Sequence, residues 1–500
     1  MRKHILSFFS LFFSIIFFTI FIVGCSPYKA VEKASKGLSS YNIEAQLDDE
    51  EMKVCAVETV EYKNNTKTIM DKVCFNLYGR SFREDAKVVP YTSINEAKCF
   101  PNGKSYGDMI VKEVKGNNIN FEYSLVGEDE NALEVVLNKE LEPGEKTTII
   151  IEFELSLSEN AHRLGYLNDS VNLGNWFPIL AVYENGEYII EPYYSTGDPF
   201  YSEIANYEVS FSYNKDYYLS STGSIINQVE DEKEKSTKLK AKAVRDFAIM
   251  LTKNQVQKSI VVENTTISYI GFDGDDNIDF CLDTSEKALR FFNKTFGKYP
   301  YSKLDIVKAP FLHGGMEYPC VVIISDTITE DLDFAKVIVH EIAHQWWYAV
   351  VGNNEINESW LDESLAEYST ALFFENYESY NLSYESIISE AFAGYTLYVD
   401  IVKSIEQKLN TSMLLKVNEY AGDYEYSYMI YVKGLLMFDN IRQTIGKNNL
   451  VKGFKKYYSK YKFKIATTDC FIVAVKNSSG KNIEGLFDSW LQGKTIIGAI

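Results

Sequence analysis

The sequence predicts two large folded parts: an all-β half, then a mixed α/β half that turns mostly helical toward its end. Three observations carry this. The 500-residue chain is 46% hydrophobic and 24% charged with only 10 Pro, a globular make-up that excludes disordered, collagen-like and low-complexity chains. Aromatic content is 14%, with 36 Tyr and 31 Phe, which suits extensive strands. The hydrophobic period changes near residue 255, from alternation to helical spacing.

The elements follow in order. Met1-Arg2-Lys3-His4 precedes an uncharged run from Ile5 to Val23. Basic, then apolar, then small is the order of a secretory signal, although the run could also just span a bilayer as a helix. Ile22-Val23-Gly24-Cys25 resembles a bacterial lipobox, in which Cys25 is lipid-modified and becomes the first mature residue. An uncleaved anchor is the alternative. Both readings keep Arg2 and Lys3 inside and tether everything after residue 25 at the outer face of the membrane. Residues 1–24 are thus expected to be a lipoprotein signal peptide. Residues 25–41, polar and rich in Lys and Ser, are expected to be a tether.

With 70 acidic against 50 basic residues the formal charge is -20, so a nucleic-acid partner, which needs a basic footprint, is excluded. Lipidation of Cys25 would leave six other cysteines. That even number permits disulfides outside the cell, and small buried thiols are an equal alternative.

Residues 42–255 read as twisted antiparallel sheets. Met52–Val57 and Val73–Tyr78 are apolar-rich runs separated by the polar Asn64-Asn65-Thr66. Thr147–Leu155 follows a Pro-Gly turn, and Tyr207–Tyr213 alternates cleanly. In residues 256–500, Leu304–Val307 and Val321–Ile324 read as short strands. Ser285–Phe296, Leu332–Val351, Ser359–Phe374 and Tyr428–Ile445 read as helices.

Two of the four histidines beyond the leader stand together in His340-Glu341-Ile342-Ala343-His344. They lie in the helical run Phe334–Val350, with Gly352-Asn353 as its stop. Four residues is about one helical turn, so both imidazoles leave one face and can share one ion. Glu341 is offset by one residue and reaches a water on that ion without ligating it, which is the logic of H-E-x-x-H: two ligands and a general base. A hydrolytic zinc wants three protein ligands and an open position. Glu363, 19 positions beyond His344, is the candidate third, on a second helix that returns after the turn at Gly352-Asn353-Asn354. Glu367, one turn later, is a candidate carboxylate for orienting a histidine, with an exposed helix Glu as the equal alternative.

At this point the chain resembles a known family. His340–Trp347, then Glu363 within Trp360-Leu361-Asp362-Glu363-Ser364, is similar to the aminopeptidase N family of gluzincin zinc metallopeptidases. Gly314-Gly315-Met316-Glu317-Tyr318 resembles that family's G-x-M-E-N element, and Tyr431-Val432-Lys433-Gly434 its Y-x-K-G element. Asp198-Pro199-Phe200 and Leu486–Leu491 extend the resemblance over most of the chain. It implies a saddle-like N-terminal β domain followed by a thermolysin-like catalytic domain, with one zinc per chain held by His340, His344 and Glu363. Glu341 would be the base. Tyr431 would donate to the oxyanion. Glu317, with Gly314, Gly315 and Met316, would bind the substrate and hold its α-ammonium group. An edge strand at Val321–Ile324 would pair with the peptide backbone.

Three departures qualify this. Tyr318 stands where the family has Asn, and Val432 where Glu is usual. A second amine-binding side chain from the β domain has no match: Asn175-Trp176-Phe177-Pro178 occupies that stretch, and Glu191 is a candidate substitute. Many relatives also carry a further helical domain, so the chain's end at Ile500 predicts a more open cleft. The expected activity is zinc-dependent hydrolysis of peptide bonds, most simply the removal of N-terminal residues from peptides, by a monomer lipid-anchored outside the cell. A metal-dependent endopeptidase is the closer alternative, and a non-catalytic binding lipoprotein the more distant one.

Overall fold

Alternation along the early strands decides which face becomes core. In the computed structural model, which describes residues 27–116, 119–405 and 409–495, Ser40–Asp48 buries every second side chain from Tyr41 to Leu47. Ala205–Asn214 does the same from Ala205 to Tyr213. Both belong to an eight-stranded sheet. Its order is Ser224–Glu230, Glu234–Val244, Ala205–Asn214, Ser40–Asp48, Lys53–Lys63, Lys146–Ser156, Asp108–Gly116 and Ile119–Asn120. Ile43, Val54, Val60, Ile151, Val209 and Phe211 from its apolar face are fully buried. They share one core with two four-stranded sheets. The antiparallel expectation is corrected at one place. Ser40–Asp48 runs parallel to Ala205–Asn214, with Ser40 opposite Asn206. The long intervening chain supplies the crossover that a parallel pair needs.

The stretch expected to be a tether is partly structured. Helix α1 (Pro27–Ala34) precedes the strand that starts at Ser40. Pro is favoured at the opening of a helix, and Val31 joins the core. Residues 1–24 and the lipidation candidate Cys25 lie outside the described residues. Among the described residues no helix is long and apolar enough to cross a membrane. Cys55, Cys74, Cys99, Cys281, Cys320 and Cys470 are free thiols, four of them buried. Of the two alternatives for these six, the structure takes the unpaired one.

A five-stranded sheet begins at Gln255. Its order is Gln255–Val262, Thr265–Phe272, Lys303–Ala309, Val321–Ser325 and Gly315–Met316. The edge is therefore not Val321–Ser325, as the sequence suggested, but the two-residue strand Gly315–Met316, with Gly315 opposite Ile324. A tight reversal through Tyr318–Cys320, with Cys320 at φ +64°, folds the edge back on its neighbour.

On this sheet pack α2 (Ile278–Thr295) and α3 (Asp331–Ala343), and the helical part continues with α4 (Glu363–Asn376), α5 (Tyr384–Ile405), α6 (Lys433–Ile445), α7 (Lys447–Tyr461), α8 (Thr468–Ser479) and α9 (Glu484–Leu491). Asp331 and Asp333 in the first turn of α3 suit its positive end. The helix expected to reach Val351 stops at Ala343, with His344 as its cap. In the turn beyond the cap, side chains meet two carbonyls: His344 Nδ1 faces the oxygen of Trp347 at 3.0 Å, and Arg245 Nε donates to the oxygen of Tyr348 at 3.0 Å. The helix expected from Tyr428 begins instead as a π-helical turn, Ser427–Val432.

Candidate active site

The two imidazoles leave α3 one turn apart, and α4 brings Glu363 against them. His340 Nε2, His344 Nε2 and Glu363 Oε2 form a triangle with sides of 3.0, 3.1 and 3.2 Å. Their protonation follows from their outer partners. The Trp347 carbonyl can only accept, so His344 Nδ1 carries the proton and Nε2 presents a lone pair. His340 Nδ1 faces Glu367 Oε2 at 3.1 Å, which fixes the same tautomer. Two nitrogen lone pairs and a carboxylate oxygen then face one another with no hydrogen to share. A cation resolves that arrangement, and nitrogen–nitrogen–oxygen is a donor set that zinc takes. These three residues also form the metal-capable group found among the described residues. Without a cation, protons play that part. Although burial opposes it, Glu363 and Glu367 raise His340, and Glu317 and Glu363 raise His344 to about 9. Glu363 is likewise held low by the two imidazoles despite its burial.

Glu341 lies beside this group, buried, with Oε2 unpartnered. Burial pushes its carboxyl up to about 7, against the pull of the two histidines. Its position depends on a missing side chain. A Cβ added at Gly315 would stand 2.3 Å from Glu341 Oε1, so the edge strand and the carboxylate can be this close only with glycine there. Gly315→Ala should keep the zinc and lower kcat about 10²-fold, since small displacements of a reacting group cost that much. Metal analysis beside steady-state kinetics checks this.

The cleft holding these groups has a volume of about 790 Å³, and Gly314, Gly315, Glu317 and Tyr431 line it as the sequence reading placed them. Glu317 is 4% exposed, and its Oε1 has no partner. Burial first, then neighbouring Asp198, raises its carboxyl. Gln345, just past His344, fixes the turn that carries Glu317 by donating to the carbonyls of Glu317 and Tyr318 at 3.1 and 3.2 Å. The Tyr431 ring stacks on His340 at 5.7 Å and 19°. Burial keeps its phenol protonated, hence a donor. The π-helical turn presents it, a geometry common at functional sites. Gly434 lets α6 approach α4, because a Cβ there would meet Ser364 Oγ at 2.1 Å.

Several residues sit elsewhere than the sequence suggested. Met316 does not line the cleft; it is buried, and its Sδ accepts from Arg163 Nε at 2.9 Å. Tyr318 also turns away, its hydroxyl 3.4 Å from Asn175 Oδ1 in the β half, so it joins the two halves. Glu191 is bound to Lys416 at 2.6 Å and Tyr194 at 2.9 Å, outside the cleft. The β half sends in Arg163 and Asp198 instead, a buried ion pair. Asp198 lay in a quoted motif without a role. Arg163 had no signal, since the sequence does not show which arginine its partner meets.

Comparison with known proteins agrees with this geometry. Residues 280–490 match the model of the Peptidase family M1 domain. The chain is similar to mitochondrial aminopeptidase 2 of Saccharomyces cerevisiae, 25% identical over 307 residues, which are 59% of this chain and 30% of that protein. It is also similar to leukotriene A-4 hydrolase of Xenopus laevis, 27% identical over 197 residues, 37% of this chain and 30% of that one. The chain thus spans about a third of the length of these curated relatives. In fold it is similar to the crystal structure of an M1 zinc metallopeptidase from Deinococcus radiodurans, with a TM-score of 0.62, 15% identity and coverage of 92% and 94% of the two chains. A variant of that enzyme bound to a Tyr-Ser-Ala substrate is similar at a TM-score of 0.64 and 15% identity, with the same coverage.

Proposed function

From the match of residues 280–490 to the Peptidase family M1 domain, we propose that the protein is a zinc-dependent aminopeptidase that removes N-terminal residues from peptides. One observation carries the reading: Glu317 offers a buried carboxylate oxygen with no partner, inside the same cleft as the His340–His344–Glu363 group. A buried acceptor left open costs free energy unless a ligand meets it. A substrate ammonium restores its ionised form and forms a charge-assisted hydrogen bond.

His340, His344 and Glu363 would hold the zinc. The ion would supply polarisation of the scissile carbonyl and a lowered pKa for water, toward ~7. Glu341 takes a proton from the attacking water and passes it to the leaving amine. Its free Oε2 serves this, and Gly315 sets its place. Tyr431 donates its phenolic hydrogen to the oxygen that gains charge at the tetrahedral stage. Glu317 holds the N-terminus and so selects the first peptide bond. The Glu367 carboxylate keeps His340 in its ligating tautomer.

Blocking the amine tests the reading. The unblocked peptide should be cut at its first bond and its N-acetyl form should not. Glu317→Ala should lower kcat/KM by about 10²-fold, the scale of one charged hydrogen bond. Internal cleavage of the acetylated peptide at the unblocked rate would make the protein an endopeptidase.

The location belongs to the proposal too. Ile22-Val23-Gly24-Cys25 supports lipidation at Cys25 and tethering at the outer face of the membrane. Metabolic labelling with a fatty-acid analogue, lost on Cys25→Ser, is the expected result; an unlabelled chain still held in the membrane would favour the uncleaved anchor.

A further inference from the structure

Helix α5 carries an apolar stripe that continues the cleft. Ile387, Glu390, Ala391 and Gly394 of α5 line the cleft, and their spacing places them on one face. The same face runs on through Leu397, Ile401 and Ile405, which are 59%, 47% and 77% exposed. A different face does the packing, with Tyr384, Tyr395 and Val399 buried. Single exposed apolar residues need no explanation. Three large aliphatics in a row, continuous with a cleft, mark a binding surface.

We propose that this stripe is an extended subsite for an apolar stretch of the peptide substrate, beyond the residues held in the cleft. This rests on the peptidase reading above. The occupant follows from continuity. A peptide whose amine is held at Glu317 leaves the cleft with its C-terminal part, and the stripe begins where the cleft lining ends on the same helix face. Gly394 to Ile405 spans ~16 Å at ~1.5 Å per residue, the length of about five residues of extended chain at ~3.3 Å each. Leu397, Ile401 and Ile405 carry no ionisable group, whereas the cleft is lined by Glu317, Glu390 and Asp423, with one lysine, Lys336, and the Arg163–Asp198 pair, so acidic groups predominate in it. The surface as a whole therefore suits a peptide with a cationic front and an apolar rear.

The test uses the full-length zinc-loaded protein and peptides of two to eight residues that share their first two residues. One series is extended with Leu and Val, the other with Ser and Asn. An aminoacyl-fluorophore serves as the short substrate. For the wild type, kcat/KM should rise about tenfold along the apolar series, through KM, and level off near seven residues. The polar series should stay flat. Leu397→Glu with Ile401→Glu should erase the gain and leave aminoacyl-fluorophore turnover at the wild-type rate. The wild-type series stands by itself if the double variant does not fold. The proposal is overturned if the wild type turns over the aminoacyl-fluorophore but shows no dependence on length or composition. Equal losses on short and long substrates in the variant would also overturn it. So would a dimer, or binding to phosphatidylglycerol vesicles, that the variant abolishes while the peptide series is unchanged. A wild type that turns over no unblocked substrate would instead sink the aminopeptidase reading.

Discussion

Glu341→Gln lowers kcat by about 10³-fold, within the range a positioned general base contributes, and leaves one zinc per chain. The geometry separates the two functions. Glu341 is next to a ligand in sequence but is absent from the ligand triangle. Its Oε2 has no partner within the protein, so replacing the carboxylate by an amide of the same shape leaves the fold's hydrogen bonds as they are. KM for a short peptide should change little, because the proposed anchor for its amine is Glu317, which the variant leaves in place. Steady-state kinetics on an aminoacyl-fluorophore, with zinc measured on the same sample, decides the matter. Wild-type kcat in the variant would mean that the proton goes elsewhere.

The second large effect is loss of the ion. Chelation, Glu363→Ala or His344→Ala should each reduce turnover below about one ten-thousandth of wild type, because water without the ion returns to a pKa near ~15.7. Stability should follow, since an ion that binds only the folded state raises its apparent stability by mass action. Chelator should therefore lower the Tm of the wild type and leave that of Glu363→Ala unchanged, and added zinc should restore both activity and Tm in the wild type alone. A Tm insensitive to chelator in active wild-type protein would contradict the assignment.

The parts of the site that were readable in the sequence are those set by local period. His340 and His344 meet because four residues make about one helical turn, and Glu367 faces His340 because it follows Glu363 by the same step. Glu317 and Tyr431 were legible through their motifs, and both line the cleft. What local pattern could not show depends on partners far apart in the chain. The zinc helix ends early, at Ala343, and Arg245, from the β half, holds the Tyr348 carbonyl in the turn beyond it. Met316 and Tyr318 turn inward because Arg163 and Asn175 wait there. The edge of the five-stranded sheet differs from the sequence expectation because Gly315–Met316 carries no strand signal of its own; only its pairing with Val321–Ser325 makes it one. The parallel strand pair was hidden for the same reason, since register between Ser40 and Asn206 is a tertiary fact.

The central claim is that His340, His344 and Glu363 together hold one zinc with a position left open for water. Anomalous diffraction collected on either side of the zinc edge, from crystals of the purified protein, tests it directly. The expected map has one peak per chain, in contact with His340 Nε2, His344 Nε2 and Glu363 and with no fourth protein ligand. A peak at other residues, or one closed off by a fourth side chain, would contradict the account.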